Sequence, residues 1–65
     1  MKSRINELAA LKGMSLKRLA IEAGVTHRAL CNYEHRGLDK AQFGCMARIA
    51  AALGCRMEEL YRQED

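Results

Sequence analysis

The sequence predicts an all-α chain of five short helices forming one small domain over residues 1–65. Three observations carry this. The composition has no proline and few β-branched residues, but much Ala, Leu, Met, Glu, Lys and Arg, which are helix formers. Apolar residues recur at helical spacing, as in Leu16, Leu19, Ala20 and Ala23 at i, i+3, i+4, i+7. Glycines at 13, 24 and 54 each follow such a run and punctuate it. With 49% hydrophobic residues the chain is not disordered by composition. A 65-residue domain nevertheless buries only about 60% of its unfolded surface, so its stability is expected to be modest.

The first helix is expected over residues 3–12, burying Ile5, Leu8 and Leu11 and ending at Gly13. Met14 packs across the turn, and Ser15 caps a second helix that ends near Ala23. Gly24 stops it, since glycine accepts the left-handed backbone that a sharp exit needs. Val25 anchors the turn, and Thr26 caps a third helix that runs to residue 34 or 35 with Leu30 and Tyr33 inward. A loop with Arg36, Gly37 and Leu38 follows. Asp39 is placed as the next cap, with Gln42 three residues on in a capping-box arrangement. The fourth helix then runs to about Leu53, burying Phe43, Met46, Ala47, Ala50 and Leu53. A fifth helix is expected over residues 57–63, with Glu58 and Glu59 in its first turn, favourable to the helix dipole.

Charge is unevenly spread. Residues 1–40 hold eight Lys/Arg and four Asp/Glu, a balance of +4. Residues 41–65 hold three and four, a balance of −1. The basic half contains the helix pair at about 15–35, and positive charge there suits a polyanion. The outward face of the third helix carries His27, Arg28, Cys31 and Asn32. A helix face rich in donors is what can enter the major groove of DNA.

The order Gly-x-Ser at 13–15, Gly-Val-Thr at 24–26, Tyr33-Glu34, Ile-Ala-x-x-Leu-Gly at 49–54 and Glu-Glu-Leu-Tyr at 58–61 resembles the phage-repressor type of helix-turn-helix domain, the Xre/Cro-like family. The resemblance covers residues 5–61. It implies a compact five-helix, lambda-repressor-like fold and a sequence-specific DNA-binding transcriptional regulator, usually a dimer on a two-fold operator. On the matching positions His27, Arg28, Cys31 and Asn32 would face bases. Leu16, Lys17, Arg18 and Thr26, at the starts of the two helices, and Arg36 and Lys40, in the following loop, would meet phosphates. Two departures stand out. Leu16 replaces a glutamine that touches DNA in many members, leaving only backbone N–H groups there. Ala9 replaces an arginine that often pairs with the glutamate matching Glu34.

Arg28 is the strongest base reader, because its planar fork can grip guanine O6 and N7 with two bonds. His27 can donate to the same acceptors. Asn32 lies later on the helix and suits either a base or a phosphate. A thiol is a poor donor, which makes Cys31 an unusual member of the set.

His27, Cys31 and His35 fall at i, i+4, i+8, but one helix cannot close a tetrahedral site, and no metal is expected. No cofactor is expected either. Three cysteines without paired spacing point to a reducing, cytoplasmic setting rather than a disulfide framework. The sequence shows no apolar leader, no membrane-length run and no sign of a small-molecule effector site. No nucleophile–base–acid set, phosphate loop or apolar carboxylate pair stands out, so no enzyme is expected. Homodimerisation is expected through the near-neutral C-terminal half, at Met57, Leu60, Tyr61 and the alanine-rich face of residues 49–53. Leu60 and Tyr61 are adjacent, so one of them should be left for the partner. The alternative from another class is a protein-binding module, such as an antitoxin-like protein that neutralises a partner, with DNA binding secondary or lost.

Overall fold

A computed structural model describes residues 2–62 of the chain. Four α-helices follow one another: α1 (Ile5–Leu11), α2 (Leu16–Ala23), α3 (His27–Arg36) and α4 (Phe43–Leu53). A single 3-10 turn, Met57–Leu60, follows α4. Two short strands, β1 (Lys2–Ser3) and β2 (Tyr61–Arg62), pair antiparallel, with Lys2 opposite Arg62 and Ser3 opposite Tyr61.

The helix boundaries follow from local chemistry. Ser15 Oγ accepts the Arg18 N–H at 3.1 Å and starts α2. Thr26 Oγ1 accepts the Ala29 N–H at 3.1 Å and starts α3. Between them Gly24 turns the chain at φ 71°, and the Val25 N–H returns to the Ala20 carbonyl at 3.0 Å. The side chain of Val25 packs on the core below. The expected helix-turn-helix is thus present.

The core gathers one stripe from each helix. Ile5 and Ala9 come from α1, Leu19, Ala20 and Ala23 from α2, Leu30 from α3, and Met46, Ile49, Ala50 and Leu53 from α4. Leu38 and Leu60 complete it, and no polar residue is buried among the described residues. Seating Leu30, which is 0% exposed, fixes which face of α3 looks outward.

Five expectations are corrected. The fifth helix is a 3-10 turn and a strand, because Arg4 N–H takes the Leu60 carbonyl at 2.8 Å and Tyr61 pairs with Ser3. The last expected residue, Gln63, lies outside the described residues. Leu11 is 77% exposed. The buried stripe of α1 runs through Ile5 and Ala9, and at about 100° per residue Leu11 falls well off it. Residue 3 belongs to β1 rather than to α1. Lastly, α4 begins at Phe43 with Gln42 as an N-cap that makes no side-chain bond, so the Asp39 capping box does not form there. Phe43 is therefore in the first turn and 74% exposed, while the loop residue Leu38 is in the core.

Ala9 left Glu34 without its expected partner, and the fold supplies another. Glu34 Oε1 accepts the Asn6 backbone N–H at 2.7 Å and the Ser3 hydroxyl at 3.0 Å. Ser3 Oγ in turn accepts the Ile5 N–H at 3.1 Å. A carboxylate near the end of α3 thus caps the start of α1, whose own N-cap residue, Arg4, makes no side-chain capping bond to the helix backbone.

Candidate nucleic-acid interface

The outward surface of α3 is set by its period. At about 100° per residue, His27, Arg28, Cys31, Asn32 and His35 fall within about 140° of arc. Leu30 and Tyr33 lie on the opposite side, in or against the core. Burial pushes the Tyr33 phenol above its ordinary range, and the neighbouring Cys45 thiol adds to the shift. His27, Arg28 and Asn32 are exposed. Cys31 is half-buried, with its sulfur 3.8 and 3.9 Å from the two ring nitrogens of His27. The thiol therefore sits against the imidazole rather than projecting past it. His35 is exposed near the middle of the arc, one turn beyond Cys31 and Asn32, and joins the expected site residues there. Its helical spacing from His27 and Cys31 is the signal in the sequence that places it on this face.

The residues expected at phosphates fall in three places. At the start of α2, Ser15 occupies the Arg18 N–H, and the first intrahelical bond runs from Leu19 to the Ser15 carbonyl at 2.9 Å. The N–H groups of Leu16 and Lys17 lie ahead of it, where no intrahelical carbonyl reaches. The Leu16 side chain is half-buried against the core, so only its backbone can serve an anion. Lys17 is exposed. Arg18 pairs with Glu22 at 3.3 Å, both exposed, a contact weak enough for an anion to displace. At the far end of α3, Arg36, which is the last residue of the helix rather than part of the expected loop, and Lys40 in the loop beyond are exposed beside a half-open basin of about 660 Å³. At the start of α3, Thr26 Oγ1 accepts the Ala29 N–H, and its O–H proton is still available to donate to a phosphate.

A capped α2, a glycine turn and a cap-seated α3 with a donor-rich outer face make a helix-turn-helix, and the sequence agrees with the geometry. Residues 4–65 match the family of the Cro/C1-type HTH DNA-binding domain. The chain belongs to that family. As a Cro/C1-type domain it is a DNA-binding regulator, and α3 takes the place of the second helix of the motif. No curated protein matches the sequence. Among the described residues no cluster of three or more His, Cys, Asp or Glu could hold a metal ion, so His27, Cys31 and His35 do not converge on one. No helix among those residues is long and apolar enough to cross a membrane.

The three residues expected at a subunit interface differ in what they offer. Leu60 is 0% exposed and spent on the chain's own core, which removes it from any interface. Ile49, Ala50 and Leu53 are likewise core residues. Met57 and Tyr61 are half-buried and pack against that core.

Proposed function

We propose that this Cro/C1-type domain is a sequence-specific transcriptional regulator that reads the major groove with α3 as a homodimer, and that it is a binding protein rather than an enzyme. The observation that carries the reading is the outward arc of α3. His27, Arg28 and Asn32 stand exposed on a helix whose opposite side is fixed by Leu30. Arg28 reads a guanine through two parallel bonds, and His27 reads an adjacent acceptor. Cys31 and Asn32 complete the base-facing set, with the thiol offering apolar contact rather than a donor. Lys17, Arg18, Thr26, Arg36, Lys40 and the Leu16 backbone hold phosphates and set the register. Three free thiols suit a reducing, cytoplasmic setting. In the dimer, Met57 and Tyr61 remain available for the partner, and the two α3 helices lie about 34 Å apart, one DNA turn.

Selection of bound duplexes from a random pool gives the cognate site, and substitutions then sort the contacts. Arg28→Ala is expected to cost about 1–3 kcal/mol on that site and to relax base choice at one position per half-site. Lys17→Ala is expected to weaken cognate and random duplexes alike. An intact Arg28→Ala domain that loses affinity equally for both duplexes would make Arg28 a backbone contact and refute its role here. No binding at low salt, or a flat salt response, would favour a protein partner instead. Sedimentation showing only monomer at micromolar concentration, with and without the selected duplex, would remove the dimer.

A further inference from the structure

The basin at the end of α3 is walled on one side by the start of the chain. Lys2, on β1, shares its rim with Arg36 and Lys40. Nothing in the local sequence gives Lys2 a role, since it lies thirty-four positions before Arg36. The fold brings them together by two ties. Strand pairing sets Lys2 opposite Arg62, and Glu34 on α3 holds Ser3, the next residue, at 3.0 Å.

We propose that β1 is a third element of the DNA interface, with Lys2 contacting a backbone phosphate at this rim beside Arg36 and Lys40. The inference rests on the DNA-binding reading above and extends it to a segment outside the helix-turn-helix. Three cationic side chains at the rim, Lys2, Arg36 and Lys40, outnumber two carboxylates, Glu34 and Asp39. The Glu34 carboxylate is engaged by the Ser3 hydroxyl and the Asn6 N–H. The basin is half open to solvent, so a polymer backbone can pass across its mouth without entering the fold. It lies beyond His35 on the same helix whose earlier residues face bases, so a duplex lying along α3 carries its backbone over this rim. Asn32 and His35 also line the basin, which makes it continuous with the base-reading arc. Lys2 is exposed and reaches solvent on that side without displacing any core residue.

The test is titration of a fluorescein-labelled random-sequence duplex at several salt concentrations. Removing one phosphate-neutralising cation lowers the slope of log affinity against log salt by about 0.9. Lys2→Ala is therefore expected to flatten the slope by about one, and to reduce the fall in affinity between 50 and 200 mM salt by about 3-fold. Lys2→Arg is expected to restore the slope. Arg56→Ala removes the same charge from a residue that pairs with Glu58 and Glu59, and is expected to leave the slope in place. If Lys2→Ala keeps the wild-type slope, or if Arg56→Ala flattens it equally, the contact at Lys2 is refuted while DNA binding stands. If the unmodified protein shows no salt-dependent binding, the DNA-binding reading itself fails.

Discussion

Replacing Glu34 by alanine tests the tie between the recognition helix and the start of the chain. The substitution removes two hydrogen bonds to a carboxylate, from Asn6 N–H at 2.7 Å and Ser3 Oγ at 3.0 Å. Bonds to charged groups contribute about 1.5–3 kcal/mol each when buried, but the Asn6 bond is exposed and the Ser3 bond only partly buried. Water takes up the released groups, so the loss falls toward that of an ordinary helix N-cap, about 1–2 kcal/mol. For a domain of this size that is a fall of about 5–15 °C in the melting midpoint. Thermal and urea unfolding followed by circular dichroism read it directly. Glu34→Gln keeps an oxygen for the same donors and is expected to lose less. A cycle with Ser3→Ala isolates the pair, and the double variant is expected to lose less than the sum of the singles. Glu34→Ala within about 0.3 kcal/mol of the parent, or strict additivity with Ser3→Ala, would refute the clasp.

Leu30→Ala empties the fully buried position that seats α3, and is expected to cost about 2–5 kcal/mol, much of the stability such a small core supplies. Denaturant unfolding measures it, and retention of near-parental stability would contradict the packing. Gly24→Ala meets no atom within 4 Å, so its cost comes only from a left-handed backbone at φ 71°. A loss of about 1–2 kcal/mol is expected by the same measurement, and a neutral result would refute the strain argument. Glu7 bonds to Arg4 at 3.2 Å, and that bond and its charge hold the Glu7 carboxyl below its ordinary value of 4.5. Its folded form thus favours the ionised state, a contribution present above 4.5 and lost as pH falls through the folded value. Glu7→Gln is therefore expected to flatten the fall in melting midpoint below pH 4.5, and an unchanged acid limb would count against the pair.

Sequence alone determined whatever a few neighbouring residues decide. The caps at Ser15 and Thr26 and the turn at Gly24 each depend on a side chain or a φ angle within three residues of the bond made, and all three stand where the local pattern puts them. The outward set His27, Arg28 and Asn32 followed from helical period once Leu30 and Tyr33 were assigned inward. Tertiary structure decided the rest, because the partners lie far apart in the chain. The last expected helix became a 3-10 turn and a strand only because its backbone finds Ser3 and Arg4 at the other end. The core position of Leu38 and the exposure of Phe43 follow from where α4 starts, which no side-chain cap marked. Glu34, left without a partner by Ala9, found the start of α1, an acceptor meeting orphan donors twenty-eight residues away. The placement of Lys2 beside Arg36 came from that same closure. Local signals fix where a helix begins and which face is apolar, but long-range hydrogen bonds depend on how the ends meet, and period and propensity carry no record of that.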